Sequence, residues 1–442
     1  MPKSAKRISA AEAAALVRPG HWVDYALGIN QPDVFDTALG ARAGELSDVN
    51  VRGCLSVRAR AILDKDPDGK SFHWWNWHFS GYDRTKHDVG RCGYIPLNLG
   101  EVPDYYRRFL PRTDVAVLKV RPKDASGVYN FGPTHVWQRA VVETARTVVV
   151  EVTPTLPHAC GVECGVHESE VDYVIDGNDL PTPELHNPSP SEVDHTIANR
   201  VLAEIEDGAC VQIGIGAMPN AACTLLAQSG IKDLGIHTEM LTDGIIDLVK
   251  AGHVTGKHKK VNPGKVVYTF ALGSKAMYDT IDGNDLFDAH AVDYTNLPHI
   301  IMQNDKVVSI NNTTQVDLQG QAASESDGHR HLTGTGGQLQ FVRGAYASKG
   351  GKSFMLLSST YERKGQRKSR IVLDLTPGNI VTTPRSDIMY VVTEYGMVNL
   401  KGKSTAERAR ALIGLAHPDF REGLERDARE AGLLPRWFAM GG

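Results

Sequence analysis

"DLGIHTEMLTDGIIDLVKAG", residues 233–252, decides how this chain is read. Leu234 to Ile236 has the character of the end of a buried strand, and Ile245 to Val249 that of a helix. Between them Glu239 stands at a strand-to-helix turn, flanked by His237, Thr238, Asp243 and Gly244. The same alternation recurs elsewhere. "RTVVVEVT" (146–153), the run at 211–213, "GKVVYTFALG" (264–273) and "MYVVTEYG" (389–396) are rich in β-branched residues, as strands buried on both faces are. "SEVDHTIANRVLAEI" (191–205) sets Val193, Ile197, Val201 and Ile205 along one helix face. The pattern predicts an α/β fold throughout.

The length of 442 residues suits more than one domain. "DLPTPELHNPSPS" (179–191) holds four prolines in thirteen residues, cannot continue a helix or sheet core, and precedes a well-capped helix. The expected domains are therefore 1–187 and 188–442, both α/β. At the start, Ser9 and Glu12 have capping-box spacing and Pro19-Gly20 stops the segment, which reads as a first helix rather than a transit peptide. "QGQAASESDGHRHLTGTGGQ" (319–338) is polar, Gly-rich and aperiodic, so it reads as one long functional loop.

Composition excludes several classes. With 41% hydrophobic and 23% charged residues the chain is of ordinary globular type. No apolar run approaches the roughly 18 residues of a membrane span, so no membrane partner is expected. A formal charge of −4 speaks against nucleic acid as a partner. Six scattered cysteines fit a reducing, cytoplasmic setting.

Chemistry concentrates on two glycine turns and one carboxylate. The strand at 211–213 runs into "GIGAMPNA", where Gly214 and Gly216 permit close backbone approach and Pro219 suits the first turn of a helix. Such a turn presents amide N–H groups to an anion. Glu239 follows 23 residues after Gly216. That spacing also suggests a dinucleotide fingerprint with an acid on the ribose, but the third glycine is Pro219 here. A purely structural glycine turn is the other alternative. "GTGGQLQFVRGA" (334–345) adds a second dense bend, with Gly334, Gly336, Gly337 and Gly344. Two amide-rich turns and a carboxylate suit acyl transfer, in which the carboxylate attacks a carbonyl and N–H groups stabilise the oxyanion.

"IGIGAMPNA", "GIHTEMLTDGIIDLVKAG", "VDLQGQ", "TGTGGQLQFVRGA" and "VVTEYGMVNLKGKSTAERARALIGLAHPDFRE" resemble the acetyl-CoA hydrolase/transferase family, most closely its 4-hydroxybutyrate and butyryl CoA-transferases. The likeness covers most of residues 190–425, with looser matches at "NLGEVPDYY" (98–106) and "VHESEVDYVI" (166–175). The resemblance implies two open α/β domains with the active site in the cleft between them. It places the catalytic nucleophile at Glu239, working through an acyl-glutamyl anhydride and a glutamyl-CoA thioester. It places CoA binding at Gly214, Ile215, Gly216, Ala217 and Met218, and at Gly336 and Gly337. Coenzyme A is then a substrate rather than a tightly bound cofactor, small carboxylic acids are the other substrates, and a homo-oligomer such as a homodimer is expected. A thioester hydrolase using the same glutamate is the runner-up, and a dinucleotide-dependent oxidoreductase a distant third. One departure stands out: the family usually has Asp where this chain has Gln340.

Other groupings are weaker. His158, Cys160, Cys164 and His167 lie within ten residues but fit no standard zinc spacing, so no metal site is expected. "SFHWWNWHFSGYDRTKH" (71–87) reads as a core strand pair whose end could line an acyl pocket. Asn30 and Gln31 could reach a substrate carboxylate or satisfy their own turn. Arg58, Arg60 and Arg84 are the cations a dicarboxylate would need, and Arg343, Lys401 and Lys403 are candidates for the phosphates of CoA.

Overall fold

A computed structural model describes residues 5–185, 188–214 and 216–435. The chain forms two compact units. The first comprises residues up to 185 together with Glu239–Thr242 and Lys265–Leu297. The second comprises the rest. The expected junction near residue 187 falls outside the described residues, as does Ile215.

In the first unit an eight-stranded sheet runs in the order Lys6–Arg7, Tyr173–Asp176, Thr147–Val152, Val115–Val120, Trp22–Leu27, Val49–Cys54, Phe72–Asn76, Cys92–Tyr94. Every pairing in it is parallel. Val115–Val120 is buried along its whole length, which is why it reads as an almost continuous apolar run. Helices Ala10–Ala14 and Val34–Gly40 cover one face, packing Ala13, Phe35 and Leu39 on Val23, Val51, Val117 and Val149. Chain order reverses between Trp22–Leu27 and Val115–Val120. That reversal is the switch point at which an open α/β sheet leaves a crevice at its carboxyl edge.

The second unit repeats the plan with different residues. Its strands run Gly235–His237, Cys210–Ile213, Val307–Asn312, Lys352–Leu356 and Tyr390–Thr393, all parallel, with Gly396–Asn399 antiparallel at the edge. Its switch point lies between Cys210–Ile213 and Val307–Asn312. Helices Thr405–Leu415 and Pro418–Glu430 bury Leu412, Ile413 and Leu424 on a core with Val316, Met355 and Val391. Among the described residues no helix is long and apolar enough to cross a membrane.

Local signals mostly hold. Ser9 and Glu12 form the expected capping box of Ala10–Ala14, and Ser191 with Asp194 caps Glu192–Leu202. Three expectations change. The run 264–273 breaks at Thr269 into Val266–Tyr268 and Phe270–Ala271, because Thr269 turns its backbone to other partners. The stretch 319–338 is not one loop: it contains Ala322–Ala323, paired with Gln315–Asp317, and a small ladder of Ser326–Asp327 with Arg330–His331. The aromatic stretch is one strand, Phe72–Asn76, followed by the helix Gly81–Asp88, which a Ser80/Asp83 capping box starts.

Candidate active site

Glu239 groups with the first unit, although His237 and Thr238 just before it belong to the second. Its carbonyl accepts from Thr269 N–H at 3.1 Å and Phe270 N–H at 3.2 Å. Met240 and Leu241 then pair with Phe270 and Ala271. This short ladder is held from behind by the 133–135 segment. Ala271 N–H donates to Pro133 O, His135 N–H to Thr269 O, and the Thr269 hydroxyl back to His135 O. His135 is buried and neutral: burial above all, then nearby His290, lowers its pKa to about 3. One ring nitrogen, Nε2, lies 3.0 Å from Val162 O, so the neutral ring donates there.

The Glu239 side chain has a partner that sequence reading missed. Asn296 Nδ2 donates to Glu239 Oε2 at 2.5 Å. Asn296 is fully buried at the end of the turn Val292–Thr295, whose Val292 N–H is anchored on Val136 O. A charge-assisted bond from a buried amide orients a carboxylate and strengthens in a water-poor setting. Cys54, at the end of Val49–Cys54, lies within electrostatic reach. Its thiol is pushed well above its usual range, by burial first and then by the charges of Asp83 and Glu239. Glu239 itself keeps partial exposure.

Asn30 and Gln31 serve backbone. Asn30 Nδ2 donates to Lys119 O and Phe131 O, and Gln31 Nε2 to Cys54 O, pinning the switch-point turn to its neighbours. Arg58, Arg60 and Lys119 converge on Asp33, at 2.5, 3.1 and 2.6 Å. Burial opposes ionisation of Asp33, yet Lys119 and the arginines hold its carboxyl below the usual range. Arg84 is half-buried on the helix Gly81–Asp88. In the aromatic stretch, Trp74 joins the core and Trp77 packs edge-on against Trp137 at 5.0 Å.

The second unit carries both glycine turns at the carboxyl edge of its sheet. Gly214 ends the strand Cys210–Ile213, with its N–H on Ile310 O, and Gly216 begins the helix Ala217–Gln228 with φ of 121°. Of the two, only Gly216 has the positive φ that favours glycine. Ala217 and Met218 open the helix with partly exposed side chains, and Pro219 is buried in its first turn. The second turn has Gly336 at φ of 57° and Gly337 capping the helix Gln338–Ala347. Gln338 fixes it by donating to Ser324 Oγ at 2.9 Å and Thr383 Oγ1 at 3.0 Å. Gln340 is buried on that helix.

The proposed phosphate-binding cations are engaged within this unit. Arg343 pairs with Asp387 at 2.8 Å, and Lys401 donates to Ser386 O while lying over the Tyr346 ring. Lys403 is exposed. Among the described residues no group of three or more His, Cys, Asp or Glu side chains is placed to hold a metal ion.

Residues 3–186 match the acetyl-CoA hydrolase/transferase N-terminal domain, and residues 273–428 the C-terminal domain of the same name. The butyryl-CoA:acetate CoA-transferase of Anaerostipes caccae is 42% identical, over 97% of both chains. This chain belongs to the acetyl-CoA hydrolase/transferase family. The 4-hydroxybutyrate coenzyme A transferase of Clostridium kluyveri is also 42% identical, over 79% of this chain and 80% of its own length. The crystal structure of RipA from Yersinia pestis superposes with a TM-score of 0.88 at 36% identity, covering 97% of this chain and 98% of that one. The family member described here is thus an enzyme of the CoA-transferase class, built on two α/β units.

Proposed function

We propose that the enzyme moves CoA from a short-chain acyl-CoA to a small carboxylic acid, with Glu239 as the covalent nucleophile. The observation that carries this reading is the Glu239 carboxylate held by the buried Asn296 amide, at 2.5 Å, in a partly exposed bend between two short strands. A Glu239 oxygen attacks the thioester carbonyl carbon and expels CoA as thiolate, leaving an acyl-glutamyl anhydride. The thiolate attacks the glutamyl carbonyl, displaces the acyl group as its carboxylate, and forms a glutamyl-CoA thioester. The incoming acid's carboxylate attacks that thioester, giving a new anhydride and thiolate. Thiolate attack on the new acyl carbon releases Glu239 unchanged and the product acyl-CoA. One thioester replaces another, so the exchange is close to thermoneutral and calls for no nucleotide triphosphate.

Gly214, Gly216, Ala217 and Met218, with Gly336 and Gly337, supply the amide-rich turns that bind the CoA portion; the intervening Ile215 belongs to the same assignment. CoA acts as substrate. Among acceptors, butyrate, 4-hydroxybutyrate and acetate fit better than a dicarboxylate such as itaconate, because Arg58 and Arg60 are already committed to Asp33. The two relatives at 42% identity are named for different acids, so likeness alone does not choose among them. The working unit is a cytoplasmic homo-oligomer, with the boundary between its two domains at residue 187.

The test is acceptor dependence. With butyryl-CoA as donor, formation of acetyl-CoA should require acetate, and free CoA should not accumulate without it. Steady CoA release without an acceptor, unaffected by acetate, would instead assign the thioester hydrolase that uses the same glutamate.

A further inference from the structure

The amide that holds the Glu239 carboxylate hangs on a very short element. Val292–Thr295 is a single helical turn, and Asn296 caps its C-terminus, with its N–H on Val292 O at 2.9 Å. One turn gains too few backbone bonds to hold itself in place, so its neighbours decide where it sits. The bond from Val292 N–H to Val136 O fixes its start. Arg107 approaches Asp293 at 3.5 Å, but both side chains are over a third exposed, where such a pair contributes little.

A buried anchor lies just before the turn. Asp288 sits on the strand Phe287–Ala289, in register opposite Val267 of Val266–Tyr268. His290 is buried two residues before the turn, and its Nε2 lies 2.9 Å from Asp288 Oδ2. The ring N–H donates there, since an ionised carboxylate can only accept. The same ring stacks on Tyr294, with centroids 4.3 Å apart and planes 19° from parallel. Asp288 thus sets the rotation of the imidazole, and the imidazole sets Tyr294, inside the turn that ends at Asn296.

The main chain of His290 leads to the same place. Its N–H donates to Tyr268 O at 2.9 Å, and the next two residues, Thr269 and Phe270, donate their N–H groups to Glu239 O. The two holds on Glu239, one at its carbonyl and one at its carboxylate, therefore share a root at Tyr268 and His290. A buried Asp–His pair is costly to desolvate, and apolar side chains of similar volume would serve stability alone at least as well. The pair adds what they lack, a directional bond that fixes the ring.

We propose that His290, oriented by Asp288, is a positioning residue that acts through Tyr294 to hold the Asn296 amide on the Glu239 carboxylate. This inference rests on the proposed role of Glu239 as nucleophile, and deepens it by assigning the support that aims it.

The test is a double-mutant cycle on butyryl transfer to acetate. His290→Ala should lower kcat about tenfold, with KM for butyryl-CoA within about twofold, because a misaimed group loses rate rather than ground-state binding. In an Asn296→Ala background the same change should cost less than about twofold, since the amide it positions is already gone. An equal loss in both backgrounds would overturn the inference in favour of general packing. So would a change confined to KM. If His290→Ala does not fold, His290→Phe keeps a ring against Tyr294, removes the bond to Asp288 and decides by the same cycle. Its loss should be about threefold or more alone, and should vanish beside Asn296→Ala. If the wild type transfers no acyl group, the functional reading fails separately. The crystal structure of the folded His290 variant then decides this one. Asn296 Nδ2 moved beyond hydrogen-bond distance of Glu239 supports it, and an unchanged contact overturns it.

Discussion

The Glu239 region and the glycine-turn region solve opposite problems with opposite materials. Around Glu239 the contacts are made by side chains: a carboxylate, the Asn296 amide that holds it, and His135 in the segment behind. At Gly214, Gly216, Gly336 and Gly337 the surface assigned to CoA under the proposed reading is main chain, and Gln338 fixes the second turn by donating to Ser324 and Thr383. If Glu239 is the nucleophile proposed above, it must be aimed, so its region is sensitive to which atom donates to which. If the glycine turns accept CoA as proposed, they must be open, so their region is sensitive to added volume. Substitutions in the first should therefore appear in kcat, and in the second in KM.

The largest break is Glu239→Ala. Losing the proposed nucleophile should cut kcat by roughly four orders of magnitude or more, with acyl-CoA still bound, as equilibrium binding would show. Asn296→Ala is expected next. Losing a hydrogen bond to a charged group costs about 1.5–3 kcal/mol, or about 10- to 150-fold, and initial rates should assign it to kcat. Gly216→Ala tests the other side. Its Cβ would meet Asn312 Nδ2 at 2.9 Å in a backbone conformation unsuited to alanine. KM for acyl-CoA should rise about tenfold while kcat changes little. If Asn296→Ala moved only KM, or Gly216→Ala only kcat, the division between the regions would collapse.

His135 sharpens the comparison through pH. Its folded-state pKa is lowered to about 3, whereas the unfolded imidazole titrates at the ordinary value of about 6.5. Between those values the unfolded chain binds the extra proton, so stability falls as pH drops below 6.5. The loss from this residue is about 2 kcal/mol by pH 5. Urea unfolding at pH 7 and pH 5 should show a smaller loss for His135→Asn than for wild type by about that amount. Arg58→Ala is the smallest effect. With Arg58 spent on Asp33, butyryl transfer to acetate should stay within about twofold, and a large loss would return Arg58 to the substrate.

What sequence could reveal follows the same division. Glycines, prolines and S-x-x-E/D caps act locally, so the strand–turn–helix unit around Gly216, the glycine bend at Gly336 and Gly337, and the helices at Ala10 and Glu192 were legible. The Ser80/Asp83 cap was equally visible in pattern and would have turned the supposed strand pair into strand and helix. Asn296 was not legible. It lies 57 residues beyond Glu239 in a plain "DYTNLPHI", and only tertiary structure brings its amide to the carboxylate. The ladders inside 319–338 were hidden for a similar reason, since Ala322–Ala323 pairs with Gln315–Asp317, which itself pairs with Ile371–Val372. The arginines looked available in sequence because Asp33, 25 residues before Arg58, gave no local sign of pairing.

The most direct test of the central claim is the intact mass of wild type and Glu239→Ala after mixing with butyryl-CoA in the absence of an acceptor acid. The account predicts a CoA-sized adduct on wild type alone, discharged when acetate is added. An adduct of the same mass on Glu239→Ala, or none on a wild type that still transfers CoA, would contradict it.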